Sequence, residues 1–267
     1  MHIHFLDPYQ GGDSPVHRTD ARVKFILTVA FILTTAIMPI GAWPVYILLF
    51  AMIISMVILS AVGVIYVQKR AALAFPFVLA ALPLIITTPG LPLVATHVGP
   101  WEITVTLAGV ERFVSIALKS WISVQAAILL TATTPFPDLM VAMRAVRIPR
   151  LLVAIFALMW RYLFVLADEA LRLMRARAAR SGDSGISDLR RGGSFTWRAQ
   201  TAGGMAGNLF IRSIDRSDRI YVAMLSRGYD GELRAMPLPE MEGSNWIVLI
   251  VGGVLLGMLV VLALLLR

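Results

Sequence analysis

Apolar residues are concentrated in five runs of about twenty residues, at positions 23–40, 43–67, 71–88, 116–133 and 246–266. The fourth run extends back towards Leu107 if Glu111 and Arg112 lie at the outer interface, where charged groups cost less than in hydrocarbon. A bilayer core about 30 Å thick is crossed by about 20 helical residues, so each run predicts a transmembrane helix. The pattern indicates an all-α integral membrane protein with about five transmembrane helices.

The composition also favours a lipid environment. Hydrophobic residues make up 58% of the 267 residues, which is more than a soluble core of this size needs. The sequence contains no cysteine, which excludes disulfides, thiolate metal sites and cysteine nucleophiles. The formal net charge is +8, and Lys and Arg in cytoplasmic loops explain it. We therefore predict contact with membrane lipid and no binding of nucleic acid.

The distribution of Lys and Arg predicts the orientation, because short cytoplasmic loops are rich in these residues. They lie before or at the start of the first run, between the second and the third, and after the fourth. These residues are Arg18, Arg22, Lys24, Lys69, Arg70, Arg144, Arg147 and Arg150. The loops near Gly41 and at 89–102 contain neither residue. The N-terminus is thus predicted to be cytoplasmic in a multi-pass protein of a bacterial or archaeal cell (inner) membrane.

Residues 151–167 are apolar enough for a further span, but we assign them to the interface or to packing beneath the other helices. A crossing here would bury Arg161 in mid-membrane and place four arginines outside, namely Arg172, Arg175, Arg177 and Arg180. The predicted organisation is a cytosolic segment (1–22), four transmembrane helices (23–134), a cytosolic or interfacial module (135–242) and a last transmembrane helix (246–266).

The module at 135–242 contains sixteen arginines and no lysine. Pro149 separates a short helix from a longer one that carries a polar stripe of Arg161, Asp168, Arg172 and Arg175, in which Asp168 and Arg172 form an i,i+4 pair. A Gly/Ser-rich linker at 181–194 leads to the next helix, which places Phe210, Ile214, Ser217, Tyr221 and Met224 on one face. Gly228 is predicted to end that helix.

Arg180 and Arg227 each lie at the predicted end of a helix, close to a glycine. One interpretation is local, because a cation at a helix C-terminus interacts with the macrodipole by about 0.3–1 kcal/mol and glycine ends the helix. The other is that two similar cationic helix ends dock into grooves of a soluble partner. The residues leave both interpretations open.

Familiar enzymatic motifs do not occur in this sequence. Lys24, Lys69 and Lys119 are the only lysines and none lies in a phosphate-binding GxxxxGK[ST] loop. The zinc motif HExxH and the nucleophile motif GxSxG are also missing, and the four histidines are scattered along the chain. We therefore expect neither catalysis nor a metal site in this polypeptide.

Four short segments together resemble one known family. They are DSPVHRTDARVK at 13–24, TTP at 133–135, RARAARSG from Arg175 and SRGYDG from Ser226. In combination they resemble the transmembrane (T) component of energy-coupling factor transporters, and the first segment is most similar to the CbiQ branch, which serves cobalt or nickel uptake. The resemblance extends from about Asp13 to about Gly231.

The resemblance implies a subunit that transmits ATPase movements to a substrate-binding S component. The expected partners are two ABC-type ATPases (CbiO-like) and an S component (CbiM-like), with or without a small CbiN-like subunit. ATP and Mg would be bound by the ATPases and the metal ion by the S component, so no cofactor is expected in this chain. The implied ATPase contacts are Ala179, Arg180, Ser181 and Gly182 in one coupling helix and Ser226, Arg227 and Gly228 in the other, supported by Arg175, Arg177, Tyr229 and Asp230. Ser181, between Arg180 and Gly182, departs from the Ala-Arg-Gly pattern of the family.

Three alternatives stay open at this point. The chain could be the T component for another micronutrient, such as a vitamin, a membrane anchor that transduces no energy, or a membrane-bound enzyme. An enzyme should act alone and an anchor should bind without responding to nucleotide, whereas a coupling subunit should need ATPases and a substrate binder.

Overall fold

Helices form most of the residues described by the computed structural model, which are 8–98, 101–180, 194–230 and 240–265. In chain order these elements are α1 (Pro15–Arg18), α2 (Ala21–Ile37), α3 (Trp43–Ser60), α4 (Val64–Ala71), a 3-10 turn (Ala72–Ala74), α5 (Phe75–Leu79), α6 (Leu84–Thr87), β1 (Pro92–Val98), β2 (Trp101–Thr106), α7 (Leu107–Thr133), α8 (Phe136–Ala145), α9 (Arg150–Arg180), α10 (Phe195–Leu225) and α11 (Gly243–Leu265). The predicted all-α fold class is confirmed.

Four helices within the described ranges are long and apolar enough to cross a bilayer, judged by length and composition: α3, α7, α9 and α11. The first predicted span corresponds to α2, whose 17 residues cover about 25 Å, at the short end of what a bilayer needs. The chain is a multi-pass membrane protein. The inclusion of α9 reflects its apolar N-terminal half, and our assignment of 151–167 to the interface or to packing beneath the other helices stays a prediction.

The predicted second and third spans have wrong boundaries. The second ends at Ser60 because Ala61 and Gly63 take positive φ angles of 57° and 92°, which end α3 before α4 starts. The third, predicted over 71–88, is not one helix but a 3-10 turn followed by α5 and α6. Pro76 and Pro83 account for the breaks, since proline has no N–H to donate and clashes with the preceding turn of a helix.

A two-stranded hairpin occupies the segment that we expected to be a loop. Strands β1 and β2 pair antiparallel, with Pro92 opposite Thr106 and Val98 opposite Trp101. Their sequences are rich in Val, Thr and Ile, which favour extended backbone. Thr106 then caps α7, because its Oγ1 accepts a hydrogen bond from the Gly109 N–H at 3.1 Å. The fourth span therefore has the earlier of its two predicted starts, Leu107.

Residues His2–Val146 and Leu238–Arg267 form one compact unit, which we call the bundle. In its described part α2 packs against α7, α8 and α11, and α7 also packs against α3, α4 and α6. The core uses one face of α3, where Val45, Leu49, Ile53 and Val57 recur every fourth residue and are buried. Ile122 and Leu129 of α7 and Leu256 and Leu259 of α11 complete it.

Lys119 lies within the apolar sequence of α7 and has a structural role there. Its Nζ donates hydrogen bonds to the backbone carbonyls of Ala36 and Met38, at the C-terminal end of α2. One turn earlier on α7, Ser115 Oγ accepts the Gly41 N–H at 3.3 Å. The two Lys119 bonds satisfy carbonyls that the end of a helix leaves without partners, which is a reason for a lysine in this helix.

Gly252 permits the close contact of α11 with α2. A Cβ atom built on Gly252 would lie 2.7 Å from Leu27 Cδ2, whereas a Cβ on Gly253 would meet no atom of the described residues within 4 Å. We expect Gly252→Leu to destabilise the bundle by about 1–3 kcal/mol through overpacking and to lower the apparent melting temperature in detergent. Gly253→Leu is the matched control and should change it little. An equal loss in both variants would contradict close packing at Gly252.

Candidate coupling helices

Residues Arg147–Pro237 form the second compact unit, and its described part contains α9 and α10, which we call the helix pair. The short helix α8 ends at Ala145, and α9 starts directly after Pro149, as the sequence predicted. Ser194 caps α10, since its Oγ accepts the Trp197 N–H at 3.3 Å.

One carboxylate joins the two helices of the pair. Glu169 Oε1 lies 3.2 Å from Arg212 Nη1, and Glu169 Oε2 lies 3.1 Å from Arg216 Nη2. The two arginines are four residues apart on α10, so they present their guanidinium groups from successive turns of one face. Each carboxylate oxygen therefore has its own cationic donor, which links α9 to two turns of α10.

These ion pairs are partly shielded from water. The Glu169 side chain is 17% exposed, against 32% for Arg216 and 53% for Arg212. Arg216 Nη1 is buried and has no hydrogen-bond partner among the described residues. Fully exposed ion pairs are worth at most about 1 kcal/mol, and the low exposure of Glu169 distinguishes its two contacts from pairs of that kind.

A second contact establishes the relative direction of the helices. The Arg177 guanidinium lies 5.6 Å from the ring centroid of Trp197, within the range of cation–π contacts. Arg177 is in the last turn of α9 and Trp197 in the first turn of α10, while Glu169 meets the middle of α10. The two helices are therefore antiparallel.

The first arginine motif lies at the C-terminal end of α9. Arg180 is the last residue of the helix, and Ala179, Arg180 and Arg175 are exposed while Arg177 is half-buried. Ser181 and Gly182 lie outside the described residues. Two arginines in the last turn, Arg177 and Arg180, complement the negative end of the helix macrodipole.

The second arginine motif follows α10 and forms a Schellman turn. The Tyr229 N–H bonds to the Met224 carbonyl and the Gly228 N–H to the Leu225 carbonyl, both at 3.0 Å. Gly228 has a φ of 81°, so its prediction as the end of the helix is confirmed. Ser226, Arg227 and Asp230 are exposed and Tyr229 is half-buried, which presents Arg227 on a turn of defined geometry.

The two motifs lie at opposite ends of the helix pair. Arg180 is near the start of α10 because α9 ends there, whereas Arg227 follows the far end of α10. Measured along the axes from the Glu169 contact, at 1.5 Å per residue, the two arginines are separated by roughly 35 Å. This separation depends on the antiparallel contact and was not predicted.

The exposed faces of the pair partly match the sequence analysis. The predicted polar stripe on α9 is exposed throughout, at Arg161, Asp168, Arg172 and Arg175. On α10 the predicted apolar face is mostly exposed, with Phe210 at 65%, Ile214 at 46% and Tyr221 at 54%. An exposed apolar face on a helix is a feature of interaction sites.

The role of Glu169 was not predicted, because the i,i+4 spacing indicated a pair between its neighbour Asp168 and Arg172. The i,i+4 spacing of Arg212 and Arg216 could have indicated a shared acidic partner on another helix, but it does not identify which acidic residue. Within the described ranges, no group of three or more His, Asp or Glu side chains is arranged to hold a metal ion.

Comparison with known proteins identifies the family. The sequence model of the CbiQ family, described as cobalt transport protein, matches residues 12–237. The chain is 27% identical over 240 residues to a putative fused cobalt transport protein CbiMQ of Methanocorpusculum labreanum, covering 86% of this chain and 37% of that protein. It is 29% identical over 171 residues to the cobalt transport protein CbiQ of Rhodobacter capsulatus, covering 64% of this chain and 66% of that one.

A third relative is matched over nearly its whole length. It is the energy-coupling factor transporter transmembrane protein EcfT of Ruminiclostridium cellulolyticum, 25% identical over 257 residues, with 92% of this chain and 91% of that protein covered. The chain thus spans less than two thirds of the first two relatives and most of the third. The family model covers most of the bundle and the whole helix pair, including both arginine motifs. This chain belongs to the CbiQ family of cobalt transport proteins.

Proposed function

We propose that the chain is the T component of an ATP-driven energy-coupling factor transporter that imports a transition-metal ion, cobalt or nickel. Family membership supports transport, and the two arginine motifs support coupling to ATPases. The observation that carries the proposal is that two exposed, arginine-bearing helix ends lie at opposite ends of one antiparallel pair.

The helix pair suits a partner that has two similar docking sites. A dimer of ABC-type ATPases offers two equivalent grooves, and a pair with one cationic end for each could contact both at once. ATP binding can move the membrane part only if the two states of the ATPase dimer contact these ends with different free energies. Because Glu169 joins the two helices, a change in the spacing of the ATPase grooves would move the helix pair as a unit instead of changing the angle between α9 and α10.

In this proposal the chain is a non-catalytic subunit. Two CbiO-like ATPases bind ATP and Mg, and a CbiM-like S component, with or without a CbiN-like subunit, binds the metal ion as cargo. The N-terminus and the helix pair lie on the cytoplasmic side, which agrees with the distribution of Lys and Arg around the spans. This chain contributes the connection between ATPases and S component.

Affinity purification of the tagged chain, expressed with the genes that neighbour it, tests the proposal. We expect two ATPase subunits and an S component to co-purify, and cells that express the set to accumulate radioactive cobalt or nickel. Uptake should be lost when the phosphate-binding lysine of the ATPases is replaced. Purification of the chain without any ATPase, or uptake that does not depend on ATP hydrolysis, would contradict the proposal.

A second candidate is the T component for another micronutrient. The match to EcfT of Ruminiclostridium cellulolyticum favours it, because that protein is covered almost completely and its name specifies no metal. The same cells distinguish the two candidates. Co-purification of the ATPases without cobalt or nickel uptake would support the second candidate.

A further inference from the structure

The bundle contains a cavity of about 460 Å³ between α2, α3, α7 and α11, to which α1 also contributes lining residues. Its lining is almost wholly apolar and includes Leu27, Phe31, Met56, Leu130, Val251 and Leu255. The volume lies within the roughly 300–1,000 Å³ range of ligand pockets. Val251 and Leu255 are 58% and 43% exposed, so the cavity is open to the bundle surface on the α11 side.

The cavity is as deep as one leaflet of a bilayer. Its lining runs along α2 from Val23 to Phe31 and along α11 from Ile247 to Leu256, which corresponds to about 12 and 14 Å at 1.5 Å per residue. Half of a hydrocarbon core about 30 Å thick is about 15 Å. The lining lies towards the N-terminal ends of both helices, so a bilayer that these helices span would have the cavity in the leaflet at the α2 N-terminus.

A lysine lies at the polar end of this cavity. Lys24 belongs to its lining, and its Nζ donates to the Thr133 carbonyl at 3.0 Å and to the His17 carbonyl at 3.5 Å. An ammonium group has three N–H donors, and its bonds to the described residues use two of them, which leaves one for a ligand. Two carboxylates, Asp138 and Asp20, interact electrostatically with this ammonium group, and Asp20 is itself paired with Arg22 at 3.8 Å.

We infer that this cavity binds one phospholipid, with an acyl chain between α2, α3, α7 and α11 and its phosphate at the Lys24 ammonium. An apolar site of one-leaflet depth with a cation at its outer end matches the two parts of a phospholipid. An acyl chain in the cavity would make van der Waals contacts with the aliphatic side chains that line it, and the phosphate would accept a charge-assisted hydrogen bond from Lys24. In the proposed orientation the lipid comes from the cytosolic leaflet.

Native mass spectrometry of the full-length chain, titrated in detergent with phosphatidylglycerol, tests this inference without any partner subunit. We expect the wild type to retain one lipid molecule, and Lys24→Gln to weaken its binding by roughly tenfold through loss of the charged hydrogen bond. Thr28→Phe should also reduce occupancy, because Thr28 lines the cavity and the ring would fill it.

Two matched variants control for general effects. Lys69→Gln removes an exposed lysine elsewhere, and Val29→Phe adds the same ring to an exposed neighbour of Thr28 that does not line the cavity. Both should bind lipid as the wild type does. Absence of a retained lipid in the wild type, or equal binding by Thr28→Phe and Val29→Phe, would overturn the inference. Loss of the lipid in the complex purified with its ATPases and S component would also overturn it, since a partner would then fill the cavity.

Discussion

Replacing Arg180 and Arg227 together with glutamate is expected to abolish ATPase co-purification and metal uptake while the protein remains in the membrane. Each exchange reverses a charge on an exposed helix end, far from the described core of the bundle in sequence. Like charges brought together at an interface cost several kcal/mol, which corresponds to a loss of binding of more than about 100-fold. Membrane insertion, measured by fractionation, should not change because both residues are outside the apolar runs.

Single variants and a control on the same helix make this result specific. Arg180→Glu and Arg227→Glu should each leave the opposite end able to bind, so each should weaken co-purification less than the double variant does. Arg219→Glu reverses an exposed charge on α10 away from either helix end and should leave recovery of the ATPases unchanged. Normal recovery and uptake in the double variant would rule out coupling through these arginines.

Replacing Glu169 with alanine is expected to separate ATPase binding from transport. Both arginine-bearing ends remain, so the ATPases should still co-purify and hydrolyse ATP. Removal of the carboxylate leaves Arg212 and Arg216 without their shared counter-charge in a partly shielded position, at a cost of about 1–3 kcal/mol. The two helices could then change their relative angle where they contact each other, and uptake should fall by roughly tenfold.

The adjacent residue provides the control for this variant. Asp168→Ala removes an exposed acidic residue from the same turn of α9 and should leave uptake close to the wild-type value. Reversal of all three charges, by Glu169→Arg with Arg212→Glu and Arg216→Glu, should restore part of the uptake. Equal uptake by Glu169→Ala and the wild type, or equal losses for Glu169→Ala and Asp168→Ala, would show that this ion-pair cluster does not transmit force.

The distance between the two helix ends offers a direct measurement for the same variant. Spin labels placed beside Arg180 and beside Arg227 should report one narrow distance in the wild type and a broader distribution in Glu169→Ala, because the link at the crossing is lost. This readout distinguishes a positioning role from a general loss of stability, which would reduce the yield of folded protein without broadening the distances in what remains.

Much of the fold could be predicted because hydrophobic length and helix ends are local properties. The run that became α11 was predicted as 246–266 and the helix is Gly243–Leu265. Pro149 and Gly228 marked a helix start and a helix end correctly, since proline and glycine act through their own backbone geometry. The prediction of the third span was wrong because it considered only hydropathy. The local backbone effects of Pro76 and Pro83 were not taken into account.

The candidate site also has features that are local in sequence and features that depend on the packing of two helices. The sequence alone indicated which arginines end helices and that the helices are amphipathic, because both follow from spacing within one segment. Only the tertiary structure showed that α9 and α10 are antiparallel, that Glu169 and not Asp168 joins them, and that Arg180 and Arg227 lie at opposite ends. Contacts between residues some forty positions apart depend on how two helices pack. The periodicity of one helix does not specify which residues of the other helix it contacts.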